Sequence, residues 1–157
     1  MRRLPLLVAL VLAAVLITAV PVVAAPLATL QASLTGQKEV PGPGDPNGRG
    51  NAAVKVYKAR VCYTLEAQRI KPAMAAHIHR GGPSVAGPIV VTLKAPTDGS
   101  SSGCVAISQS LSNKLQENPR QYYVNVHNKP YPEGAIRGQL HRWSCATLDP
   151  RNKGRGC

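Results

Sequence analysis

Apolar residues recur at every second position in short runs, and turn-forming residues cut each run off. Leu30, Ala32 and Leu34 alternate with Gln31, Ser33 and Thr35. Ala52, Val54 and Val56 alternate with Ala53, Lys55 and Tyr57, and Val61, Tyr63 and Leu65 continue the pattern. A period of two sends one set of side chains to one face of a strand and their neighbours to the other. A chain written this way buries its apolar surface by stacking half-buried strands. Runs of the same kind cover residues 74–79, 89–93, 105–108, 122–127 and 135–140. With 14 Gly, 14 Pro and no Phe, the spacing predicts an all-β chain of about eight strands in an antiparallel β-sandwich. Residues 41–48 form a turn-rich loop, and Ser100–Ser101–Ser102 reads as turn as well. One segment breaks the alternation. Residues 110–118 (SLSNKLQEN) set Leu111 and Leu115 four apart, with Ser108 or Ser110 available as N-cap and Pro119 as a stop. It is expected to be one short helix on an edge of the sandwich.

The first residues follow a different rule. Met1-Arg2-Arg3 is a short basic start, and residues 4–20 are almost unbroken apolar sequence. Pro21 then precedes the small residues Ala24 and Ala25, so residues 1–24 read as a signal peptide cut after Ala24. The alternative is an uncleaved anchor, which would be the only route to a membrane. The expected organisation is therefore an export signal, one domain over residues 27–142, and a basic Gly- and Arg-containing tail at 143–157. Cleavage removes Arg2 and Arg3 and lowers the formal charge from +12 to +10. A charge of that sign suits an acidic polymer or cell-surface component. Specific nucleic-acid binding is not expected, because the basic residues lack interleaved aromatics.

Strand parity also sorts the polar residues. With Val61, Tyr63 and Leu65 inward, Cys62 faces out, and with Val105 and Ile107 inward, so does Cys104. An even count of four cysteines in an exported chain suggests disulfides, and no spacing resembles a zinc-binding pair. Cys62–Cys104 would clasp the outer surface of one sheet. Cys145 and Cys157 either tie back the tail or stay free. His77 and His79 lie opposite Ala76 and Ile78; Tyr123, Asn125 and His127 lie opposite Tyr122, Val124 and Val126. Arg137, Gln139 and His141 lie opposite Ile136 and Leu140. If these three strands are neighbours, their polar residues make one patch.

Three stretches together resemble the CHRD domain, a family named for the developmental protein chordin and found in many bacterial exported proteins. They are AHIHRGGPSVAGPIVV (residues 76–91), SGC ending at Cys104, and YYVNVHNKPYPEGAIRGQL (residues 122–140). The resemblance spans roughly residues 30–140. It implies an extracytoplasmic all-β domain, immunoglobulin-like or superoxide-dismutase-like, and implies that Cys62 and Cys104 are the family's paired cysteines. It brings no established biochemical activity, and fold alone does not supply one.

The expected role is that of a secreted, non-catalytic structural or binding module at the cell surface or in the medium. The alternative is a copper or zinc protein with a redox role. His77 and His79 would share a strand face, a common start to such a site, and His127 would complete a three-nitrogen set. No cofactor is required by the first reading. A third arrangement uses Arg137 with Asn125, Gln139 and His141 to hold a carboxylate or phosphate. Hydrolysis finds no support: the acidic residues Glu39, Asp45, Glu66, Asp98, Glu117, Glu133 and Asp149 are scattered, and there is no Gly-x-Ser-x-Gly elbow.

Overall fold

The computed structural model describes residues 24–143. The expected signal peptide up to residue 23, Cys145, Cys157 and all of the expected basic tail after Trp143 therefore lie outside the described residues. Among the described residues nine antiparallel strands form a single sheet: β1 (Ala28–Thr35), β2 (Arg49–Tyr57), β3 (Arg60–Gln68), β4 (Ala73–Arg80), β5 (Ile89–Leu93), β6 (Ser100–Ala106), β7 (Tyr122–Asn128), β8 (Ile136–Gln139) and β9 (His141–Arg142). Their spatial order is β5-β4-β7-β8-β1-β2-β3-β6, with β9 beside β1. The two-layered packing expected of a sandwich is made by this one sheet rolling over until its ends meet, a nearly closed barrel. At the seam the Lys94 backbone N–H donates to the Tyr63 hydroxyl (2.7 Å), and the Ser101 hydroxyl donates to the Lys94 carbonyl (2.7 Å).

The barrel forms because the alternating apolar set has one place to go. Leu30, Leu34, Val54, Val56, Val61, Leu65, Ile78, Val124 and Ile136 all point inside and are essentially inaccessible to solvent. Each such side chain contributes roughly 1.5–3 kcal/mol of hydrophobic stabilisation. The helix α1 (Gln109–Glu117) seals one side, with Leu115 wholly buried and the Ser112 hydroxyl donating to the Tyr57 carbonyl (2.6 Å). Its N-cap is Ser108, whose hydroxyl accepts from the Leu111 N–H (3.1 Å). Among the described residues no helix is long and apolar enough to cross a membrane.

Two details differ from the sequence reading. Ser100, Ser101 and Ser102 are in β6, paired with Glu66, Leu65 and Thr64, and not in a turn. They lie on a strand with a single ladder partner, where Ser100 and Ser102 are exposed and Ser101 bonds across the seam, so no apolar alternation is left to read. The last apolar run ends as two short strands, with Leu140 between β8 and β9. The disulfide is as expected: Cys62 and Cys104 face each other across β3 and β6 and are bonded on the outer surface of the barrel.

Candidate metal centre

The three strands that carry the polar pattern are neighbours, β4-β7-β8. Register aligns His77 with Asn125 and Asn125 with Arg137 in one row across the sheet. The next row is His79, Tyr123 and Gln139, and His127 pairs with Ala75. Their apolar neighbours hold the inner face, so the polar residues occupy the outer one. That face is roofed by loops. Residues 81–88 fold back over it, residues 36–48 approach from β1, and residues 129–135 cover its end.

The roof sets the histidine tautomers. His79 Nδ1 is 2.8 Å from the Gly87 carbonyl, and His127 Nδ1 is 2.9 Å from the Pro132 carbonyl. A carbonyl only accepts, so each Nδ1 carries the proton and donates it, leaving each Nε2 with a bare lone pair. Among the described residues His79 Nε2 is buried and finds no hydrogen-bond partner. His127 Nε2 is met by His77 Nδ1 at 3.2 Å. One nitrogen from each of the three rings falls within 4.8 Å of the others. Two imidazoles bound to one tetrahedral ion at about 2.0–2.1 Å would have their nitrogens about 3.3 Å apart, so the His77–His127 spacing already matches. Burial, and then the charges of His127 and His79, push the His77 imidazole down to about 4. His79 is lowered chiefly by burial, against a raising contribution from the Gly87 hydrogen bond. Both rings are thus held in the neutral form that binds metals. Gly87 is required for this geometry: a Cβ there would collide with the Arg80 carbonyl.

Beside the histidines lies a second buried polar group. Tyr123 takes His79 against its ring from one neighbouring strand (centroids 4.8 Å apart, planes at 7°). It takes the Arg137 guanidinium, 3.4 Å from the ring centroid, from the other. Arg137 is 1% exposed. Its Nη2 donates to the Gly82 and Val85 carbonyls (2.7 and 3.0 Å), while Nη1 has no partner among the described residues. Asn125 donates its amide to both oxygens of the buried Glu39 carboxyl (2.8 Å each), and Oδ1 is left over. Burial raises Glu39 to about 7, outweighing the lowering by the Arg137 charge and by the Asn125 and Val40 hydrogen bonds. Gly134 closes this side at φ 150°, where any Cβ would press on the Glu39 carboxyl.

The structure therefore brings His77, His79 and His127 together and divides the remaining candidates. Asn125 and Arg137 belong to the Glu39 cluster. Gln139 serves as a tether, its amide donating to the Gly81 and Arg120 carbonyls (2.6 and 2.8 Å). His141 sits apart on β9, its Nδ1 3.4 Å from the Gln139 carbonyl. Glu39 was not expected here; it lies 86 residues from Asn125 in sequence and precedes a loop. The carbonyls of Gly87 and Pro132 could not have been read either, since a backbone acceptor leaves no sequence signal.

Comparison with known proteins gives one finding. A family model described as the CHRD domain matches residues 30–140. No curated protein and no solved structure matches.

Proposed function

The chain belongs to the CHRD domain family, and from that premise we propose that it is an exported binding module whose three histidines hold a copper or zinc ion. The observation that carries the reading is the bare, buried and unpartnered Nε2 of His79, beside the lone pair of His127 Nε2. A buried polar atom without a partner is unfavourable by roughly 1–3 kcal/mol. Coordination would supply the missing partner. The Gly87 and Pro132 carbonyls would serve as the outer hydrogen-bond acceptors that orient ligating imidazoles. His77 would ligate through Nδ1 after its proton moves to Nε2. The Arg137 guanidinium stands on the far side of the Tyr123 ring from His79 and is turned to the Gly82 and Val85 carbonyls, which keeps it out of the histidine cluster although its charge still lowers His79. Export is supported by the N-terminal apolar run and by a disulfide of the kind that persists in oxidising compartments.

The test is titration of the purified protein with copper and with zinc, alongside elemental analysis. One equivalent of bound metal is expected, lost when His77 and His79 are both changed to Ala. No binding at micromolar metal would defeat the reading. The histidines would then be a structural network, and the same double change would lower thermal stability equally with and without metal. Mass analysis of protein recovered from the medium checks export, with Ala25 as the expected first residue.

A further inference from the structure

On the other side of β7 from the histidines, the loops at 36–48 and 81–88 leave a cleft of about 490 Å³ over β1 and β8. Ser33, Lys38, Glu39, Pro83, Arg137 and His141 line it. The volume lies in the ordinary range of small-molecule sites. Two features of its wall constrain an occupant. Arg137 is almost wholly buried, yet among the described residues its Nη1 finds no acceptor. A buried guanidinium nitrogen without an acceptor is strongly unfavourable, and a carboxylate oxygen is its best complement. Lys38 and His141 add positive or polar groups at the margin. Glu39, however, shares the wall, and its carboxyl oxygens accept from Asn125 alone among side chains. Above about pH 7, where Glu39 is ionised, a multiply charged anion such as phosphate would meet that charge in the same cleft. Glu39 instead suits a hydroxyl that donates to it. These walls suit an occupant that carries one carboxylate together with hydroxyl groups.

We infer that this cleft binds a sugar acid, with the ligand carboxylate on Arg137 Nη1 and a ring hydroxyl donating to Glu39. Ser33, exposed on β1, offers a further hydroxyl at the mouth. The formal charge of the chain favours the approach of such acids. Because none of these groups touches a histidine of the metal cluster, the site works without metal.

The experiment is calorimetric titration in a chelating buffer with D-glucuronate as probe. Glucose supplies the hydroxyls alone, acetate the carboxylate alone, and inorganic phosphate a different anion. Glucuronate should bind at least about tenfold more tightly than each of the three, as expected when a charge-assisted bond is gained together with neutral ones. Ser33→Trp fills the cleft from an exposed strand position without disturbing Arg137, and should weaken glucuronate binding by about tenfold or more. Arg137→Lys should do the same if it folds. Acetate or phosphate binding as tightly as glucuronate overturns the inference, and so does unchanged glucuronate affinity in Ser33→Trp. Chelator in every titration keeps this outcome separate from that of the metal reading.

Discussion

The two halves of the rolled sheet are built from the same alternation and end up with opposite outer faces. In β2 and β3, buried and accessible residues take turns, so Lys55, Thr64 and Glu66 stand in or near water. In β7 and β8 almost every residue is buried, whichever way it points. The difference is not in the strands but in what crosses them. Among the described residues no long loop lies over β2 and β3, and Cys62–Cys104 ties β3 to its neighbour β6 instead. Over β4, β7 and β8 the loops lie flat, and the side chains beneath bond to loop carbonyls at Gly81, Gly82, Val85, Gly87 and Pro132. A polar residue on the open half keeps its water. On the roofed half it must find its partner in the protein or in a bound molecule.

If the halves are held by different means, removing the staple should weaken the whole fold and leave the roofed sites unchanged. Replacing Cys62 and Cys104 with Ser opens a loop of 42 residues. In the chain-entropy account this lowers stability by about 4 kcal/mol, the largest effect expected here. Urea unfolding checks it. Below the midpoint, copper or zinc affinity should match that of the parent within about twofold. A collapse of metal binding in protein that is still folded would break the division into halves.

The comparison sharpens with matched substitutions on the two outer faces. Arg137→Met removes the donor to two carbonyls, the partner of the Tyr123 ring, and the charge that faces Glu39. About 3 kcal/mol of stability should be lost. Lys55→Met changes a residue of like charge in β2, exposed on the open half. It should move stability by no more than about 0.5 kcal/mol. Equal effects would mean that the roof adds nothing beyond covering the strands.

Much of this was legible in the sequence because one rule governs it. Inner-face residues such as Leu30, Val54, Tyr63 and Val124 announce their strands, and parity then places Cys62, Cys104 and the three histidines correctly. Alternation is the same in two stacked sheets and in one rolled sheet, so it could not reveal that the sheet is continuous. Parity also gathers His79 and Arg137 onto one face, but only the register shows Tyr123 standing between them. Ser100–Ser102 failed as a strand because both of its faces lack apolar residues. Glu39 failed for a deeper reason: a lone acid before a Pro-Gly loop looks solvated until the loop is seen to fold inward.

Glu39 gives the smallest and most diagnostic difference between the halves, because its sign depends on pH. The folded carboxyl titrates near 7 and the ordinary group at 4.5. Between those values the folded protein holds a proton that the unfolded chain has released, so this group makes stability fall as pH rises, by at most about 3 kcal/mol. His77 acts in the opposite sense. Its folded value is about 4 against 6.5, so it makes stability rise with pH over that interval. The lowered His79 adds to the rising side, so from 4.5 to 6.5 Glu39 cancels only part of the rise from the two histidines, and the parent protein in chelator should show a shallow upward slope there. Glu39→Gln keeps an acceptor for Asn125 and removes the falling limb, though it also loses the attraction of Arg137. The variant should then gain stability steadily as pH rises through that window and stand about 2 kcal/mol above the parent at pH 8. Glu66→Gln, on the accessible face of β3, should track the parent within about 0.5 kcal/mol throughout. Denaturant midpoints at pH 5, 6.5 and 8 decide it. A Glu39→Gln profile parallel to the parent's would show that the roof leaves Glu39 in water, and the roofed half would then differ from the open one in packing alone.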